Sequence, residues 1–222
     1  MRTQTESNKY EGQCKFCKKD FTKRQITGHL DNCPKREKDE NIKNLRLRII
    51  SPYIKNFWLM VEVNNQAKVK DLDNLIRDVW VECCDHLSEF GDYGSEVGKG
   101  RIIMGTFTPG DSVNYIYDFG SSTELAIKAL EYSNFQLNNN KRIELVARNY
   151  LPPSNCAMCG KQAAQVCTAC SGEEMAFACD KCAEKYHNEE NEKEEHYILP
   201  LANSPRSGVC GYESVESLDK LF

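Results

Sequence analysis

Apolar and polar residues alternate in several short runs between residues 41 and 151, and in one run the apolar positions recur at helical spacing. "KNLRLRIIS" and "NFWLMVEVN" alternate and are rich in β-formers, so both predict strands. "SVNYIYDFG" sets Val113, Tyr115, Tyr117 and Phe119 on one side, the pattern of a half-buried strand. "TELAIKALEYS" and "KRIELVARN" read as further strands, the first with a helix as the alternative. "DLDNLIRDVWVECC" differs. Leu72, Leu75, Ile76, Val79 and Trp80 fall at i, i+3, i+4, i+7 and i+8, one apolar helix face, with Asp71 as the N-cap. Consecutive strands around one clear helix predict an α+β fold, with a central mixed or antiparallel sheet packed on that helix.

Composition divides the 222 residues into three parts. Residues 1–40 are basic, polar and contain cysteine. Residues 41–151 hold most of the aliphatic and aromatic side chains. Residues 152–222 open on Pro152-Pro153, which neither a strand nor a helix continues through, and are again rich in cysteine. The net charge of -4 excludes a uniformly basic nucleic-acid binder. The charge is polarised, however: residues 1–50 carry 13 Lys/Arg against 7 Asp/Glu, and residues 183–195 carry 6 Glu against 2 Lys. No run reaches the roughly 18 apolar residues of a membrane helix. The polar start "MRTQTESNKYEGQ" has no apolar signal core, so a cytoplasmic location is expected. "EFGDYGSEVGKG" lacks the P-loop pattern and reads as a loop.

Twelve cysteines are too many for chance packing. In a secreted chain they would form disulfides, and in a reducing compartment they hold metal. "CKFCKKDFTKRQITGHLDNCP" gives Cys14-x2-Cys17-x11-His29-x3-Cys33, a spacing that suits tetrahedral zinc. His29 and Cys33 sit one helical turn apart, and Phe21, Ile26 and Leu30 supply a small apolar cluster. The run resembles a C2HC zinc finger, with a loop one residue shorter than in the C2H2 type. In DNA-reading fingers the exposed helix face, here Lys23, Arg24 and Gln25, enters the major groove. One finger covers only about 3 base pairs, so a protein-contact or structural role is the competing expectation.

The second run, "CAMCGKQAAQVCTACSGEEMAFACDKCAEKYH", begins at Cys156. With His196 it supplies eight ligands: Cys156, Cys159, Cys167, Cys170, Cys179, Cys182, His187 and His196. It resembles B-box-like modules. That resemblance implies a cross-braced pairing, with Cys156, Cys159, Cys179 and Cys182 on one ion and Cys167, Cys170, His187 and His196 on the other. Eight residues separate the two histidines, longer than the usual spacing, so Cys210 is an alternative last ligand. The intervening residues are small and polar, too poor in apolar bulk to fold alone, so the thiols serve architecture. Closed four-ligand sites argue against hydrolysis, because a catalytic zinc keeps one position open. Three zinc ions are expected in all.

"LDNLIRDVWVECCDHLSEF" followed by "VNYIYDFGSSTEL" resembles the plasmid pRiA4b ORF-3-like family, also described as insertion-element passenger proteins, over residues 42–150. "LPLANSPRSGVCGY" resembles an extension found in one branch of that family. The resemblance implies an α+β fold and an association with mobile elements, and implies no reaction. Many relatives carry Trp and His soon after "YDFGD", where this chain has Ser121-Ser122-Thr123-Glu124-Leu125.

Three groups keep two readings each. Asp118 and Gly120 either line a pocket or form a strand-end turn in which the glycine takes positive φ. Cys83, Cys84 and His86 form a further metal or redox site, or are two buried thiols at a helix end beside a hydrogen-bonded histidine. The tail "NSPRSGVCGYES" docks a partner or wraps the zinc module. The expected function is a zinc-stabilised, non-enzymatic binding or adaptor protein with a protein partner. The alternative is nucleic-acid binding through Lys23 and Arg24. An enzyme with a site near His86 and Asp118 comes third.

Overall fold

The structure, a computed structural model, describes residues 11–54, 56–92, 94–138, 141–170, 176–186 and 197–213. The sheet is built from β1 (Gly12–Cys14), β2 (Asp20–Phe21), β3 (Asn44–Ile50), β4 (Trp58–Val63), β5 (Ser88–Phe90), β6 (Ser112–Tyr117), β7 (Thr123–Ser133) and β8 (Ile143–Asn149). Their order is β2-β1-β8-β4-β3-β7-β6-β5, and every pairing is antiparallel. The sheet expected to be mixed or antiparallel is therefore antiparallel, and "TELAIKALEYS" is strand throughout.

Helix α1 spans Gln25–Leu30 and α2 spans Val69–Ile76. The expected face of α2 is buried in the main core against Leu45, Leu47, Ile49 and Leu59. Its N-cap is Lys68, not Asp71. Asp71 stands at the third helical position and accepts a hydrogen bond from the Lys68 backbone N–H at 2.8 Å. The helix ends in a widened turn, in which the Glu82 N–H reaches the Arg77 carbonyl at 3.0 Å.

The cysteine-bearing N-terminal segment covers the opposite sheet face. Ile26 and Leu30 of α1 are buried with Trp58, Met60, Val146 and Ala147 of the sheet. Two irregularities in register serve this second core. One falls opposite Arg46/Leu47 and lets Leu130 pack there; the other falls at Met60/Val61 and admits Val146. Hence β4 is buried at all six positions, with Leu59, Val61 and Val63 in one core and Trp58 and Met60 in the other.

Gly12 joins the finger hairpin to β8. A Cβ there would stand 2.2 Å from the Arg148 carbonyl oxygen and 2.6 Å from Trp58 Cζ2. Gly12→Ala therefore forces β1 off the sheet, and we expect a loss of about 1–3 kcal/mol, read as a lower urea midpoint. An unchanged midpoint would show that the hairpin can shift at no cost.

The C-terminal region forms a second sheet from β9 (Gln165–Cys167), β10 (Phe177–Ala178) and β11 (Ile198–Pro200), in the order β10-β9-β11, with α3 (Asp180–Tyr186) following β10. No helix among the described residues is long and apolar enough to cross a membrane.

Candidate metal centres

The first centre lies at the finger hairpin. Cys14 ends β1, and the chain turns back through Lys18, whose φ is 56° and whose N–H returns to the Cys14 carbonyl at 3.0 Å. Thr22 and Gln25 exchange hydrogen bonds at the entry to α1: the Gln25 N–H donates to Thr22 Oγ1 at 3.3 Å, and the Thr22 N–H to Gln25 Oε1 at 3.2 Å. That helix presents His29, whose ring stacks on Phe21 at 3.9 Å between centroids. The ligand atoms of Cys14, Cys17, His29 and Cys33 all lie within 4.8 Å of one another. Burial pushes the Cys14 thiol up to about 12, so an uncompensated thiolate is disfavoured there, and a bound cation reverses that penalty.

The second centre gathers Cys156, Cys159, Cys179 and Cys182, again within 4.8 Å. Gly160, at φ 71°, closes the first knuckle by donating to the Cys156 carbonyl at 2.8 Å. Cys179 immediately precedes α3, and Cys182 lies in its first turn. Burial raises the Cys156 thiol, but backbone N–H groups of Cys179, Cys159 and Met158 outweigh it and bring it down to about 6. Burial carries Cys182 the other way, up to about 12. Cys167 is buried at the end of β9 and Cys170 is half-buried. His187 and His196, expected to complete their set, lie outside the described residues.

The third gathering fits one of the two readings of Cys83, Cys84 and His86, a further metal or redox site, and adds a fourth residue not expected with them. Cys83, Cys84 and His86, just after α2, meet Cys210 from the C-terminal tail, with all four ligand atoms within 4.8 Å. Cys210, the alternative to His196 in the set of Cys167, Cys170 and His187, therefore lies with the residues after α2 instead. The thiols after α2 are not a buried pair, since Cys83 is half-buried and Cys84 exposed.

Distances test whether these sets suit one ion. Bonds of about 2.3 Å to sulfur and 2.0–2.1 Å to nitrogen place tetrahedral S···S pairs about 3.8 Å apart and S···N pairs about 3.6 Å apart. Cys14···Cys33 is 3.9 Å, Cys17···His29 3.3 Å, Cys159···Cys179 3.7 Å, Cys84···Cys210 3.8 Å and Cys210···His86 3.7 Å. A disulfide would need about 2.05 Å, and none of the described cysteines forms one.

Other expected residues fall as follows. Lys23 precedes α1 and is half-buried; Arg24 beside it is exposed. Burial, then the positive charges of Arg48 and Lys128, hold the Lys23 amine below its ordinary value. β6 stops at Tyr117, so Phe119 leaves the alternation and is 56% exposed. The positive φ of the following turn belongs to Asp118, at 64°, and not to Gly120. Asp118 accepts the Gly120 and Ser121 N–H groups at 3.0 and 3.2 Å and binds Arg206 at 2.6 Å. Those bonds hold its carboxyl down at about 2, with the Arg206 bond the largest cause.

Fold and sites together define an antiparallel α+β protein carrying, among the described residues, three Cys/His clusters of metal-binding geometry. The chain matches no family model and no curated protein. Among solved structures, it is similar to a protein of unknown function from Methanosarcina mazei Go1. The two are 17% identical, with a TM-score of 0.41, over 48% of this chain and 69% of that one.

Proposed function

We propose that the chain is a zinc-stabilised, non-enzymatic protein of macromolecular interaction, working in a reducing, cytoplasmic setting. The observation that carries this reading is closure. Each described cluster supplies four protein ligands, and a catalytic zinc keeps a position open for water or substrate. Three thiolates with one imidazole, or four thiolates, is a donor set that favours zinc over magnesium or calcium.

A protein partner is supported by two exposed apolar side chains, Leu87 and Phe119, which are 74% and 56% exposed. The two segments that carry them meet, the Asp118 N–H donating to the Leu87 carbonyl at 2.8 Å. Such a pair marks a contact site when a partner covers it. Crosslinking the wild type and the Leu87→Asp/Phe119→Asp variant tests this. A partner retained at high salt by the wild type and lost by the variant, with zinc content unchanged, is the expected result. A monomer free of crosslinks in both would overturn the adaptor reading.

The second reading, nucleic-acid binding, rests on the basic side chains drawn together around the finger. Lys23 feels Arg48 and Lys128 from β3 and β7, and Arg48 is held on Thr27 Oγ1 at 2.7 Å. The resemblance of residues 42–150 to insertion-element passenger proteins fits this reading. It predicts that Lys23→Glu/Arg24→Glu weakens oligonucleotide binding and flattens its salt dependence by about two phosphate contacts, because each contact releases counterions. Binding that is absent, or salt-insensitive in the wild type, sinks it.

A further inference from the structure

We propose that Cys83, Cys84, His86 and Cys210 bind a further zinc ion, which clasps the C-terminal tail onto the central domain. The ion would be additional to those of the finger and the cysteine-rich module. The inference stands whether or not the partner reading holds.

Both halves of the site are held in place by contacts that do not involve the ligand atoms. On the central domain, the widened last turn of α2 releases the chain at Glu82, and Asp85 adopts φ 56° to bend the ligand loop. The Tyr117 hydroxyl accepts the backbone N–H groups of Cys83 and His86 at 3.4 and 3.2 Å, and donates to Glu82 at 3.0 Å. Arg77 donates to the His86 carbonyl at 2.5 Å. One hydroxyl and one guanidinium thus fix the loop between Cys83 and His86.

On the tail, Arg206 is fully buried. It donates to Asp118 at 2.6 Å, to the Ser121 carbonyl at 2.9 Å and to Thr123 Oγ1 at 3.0 Å. Ser204 Oγ donates to the Trp80 carbonyl. Four residues after Arg206, Cys210 takes φ 55°, and its sulfur lies 3.8 Å from Cys84 Sγ and 3.7 Å from His86 Nε2. These separations match edges of a zinc tetrahedron.

The surrounding charge suits the same ion. Arg206 Nε donates to Cys83 Sγ at 3.3 Å, a contact that is stronger when the sulfur is a thiolate. Three thiolates and one Zn2+ leave one net negative charge, and the guanidinium that faces it also pairs with Asp118, whose Oδ2 lies 3.6 Å from His86 Nε2. An outer donor to a ligating sulfur is what orients and tunes a metal site. The clasp is also more open than the finger site. Cys84 and Cys210 are exposed, whereas Cys14 and Cys33 are buried, so a chelator should reach the clasp first.

The test uses the full chain purified without chelator. Native mass spectrometry of the wild type and of Cys84→Ser/Cys210→Ser should show one zinc fewer in the variant. Hydrogen exchange at residues 202–212 should rise on the order of tenfold or more, while β3 and β4 stay protected. Alkylation of the wild type gives a second readout that needs no variant. Cys83, Cys84 and Cys210 should resist the reagent in the zinc-loaded protein and react after brief chelation. An unchanged zinc count in the variant overturns the proposal. So does a Cys84–Cys210 disulfide, or alkylation at equal rates with and without chelator.

Discussion

Stripping the proposed zinc ions from the protein with a strong chelator should unfold residues 154–170 and 176–186 and leave the eight-stranded sheet folded. The reason lies in what each region buries. Among the described residues between 152 and 186 the buried apolar side chains are Cys156, Ala163, Val166, Cys167, Ala176, Ala178 and Ala183. Apart from one valine these are alanines and the cysteines themselves, so apolar transfer contributes little there. Zinc binding to such segments supplies on the order of 10 kcal/mol or more per site, and the metal's binding free energy becomes the segment's folding free energy. The sheet does not depend on metal in this way, because α2 and the strands bury Trp80, Phe90, Tyr115 and many aliphatic side chains in one continuous core. The finger falls between the two. It loses its ion but keeps Ile26 and Leu30 against Trp58, Met60 and Val146. Hydrogen exchange before and after chelation should therefore show protection lost around β9, β10 and α3, reduced in α1, and kept in β3, β4 and β7. If β9 and β10 stay protected without metal, the thiols are not what holds that module together.

The second large effect is expected at Glu62. Its side chain is fully buried between two arginines. Arg36, from the segment after the finger, pairs with both Glu62 oxygens and also donates to the Leu30 carbonyl at 3.1 Å. Arg46 donates to Glu62 at 2.9 Å, and to Asp31 and Glu131 at 2.8 and 2.6 Å. Glu62→Gln keeps the shape but leaves two buried guanidinium groups without their shared counter-charge. Removing one partner of a buried ion pair costs about 3–5 kcal/mol, and the same cost is expected here. Asp31 and Glu131 are 42% and 41% exposed at the side chain, so water screens them. Asp31→Asn and Glu131→Gln should each cost about 1 kcal/mol or less. Urea midpoints of the three variants decide the matter. A Glu62→Gln midpoint as high as that of Asp31→Asn would mean that water or a rearranged carboxylate reaches the arginines.

Local periodicity made α2 and most strands legible. The positions from Leu72 to Trp80 repeat at 3.6 residues, and Leu45, Leu47 and Ile49 repeat at two. Where the reading slipped, a contact from elsewhere in the chain had intervened. Phe119 continues the alternation of β6 on paper, but Arg206, 88 residues away, holds Asp118 in a turn and carries Phe119 out to solvent. Arg46 and Glu62 look like solvent-facing strand positions. They are buried because the finger lies over them, and no local pattern announces that cover.

The candidate metal centres divide in the same way. C-x-x-C pairs reveal themselves because both ligands of a knuckle come from one tight turn. Cys210 lies 126 residues from Cys84, so no spacing could link them. An inventory could have done so. Once the two spaced runs have claimed their ligands, three of the twelve cysteines and one of the four histidines remain, and they are Cys83, Cys84, Cys210 and His86.

The sequence by itself therefore determined the α+β class, the helix face, most of the strands, the finger's ligand set and the two C-x-x-C pairs Cys156/Cys159 and Cys179/Cys182, since each depends on residues close to one another along the chain. Only the tertiary structure decided that the finger forms a second layer on the sheet, that Glu62 sits between two buried arginines, and that the tail returns to bring Cys210 to His86. Those outcomes depend on which distant surfaces exclude water from each other, and a local pattern carries no record of that choice.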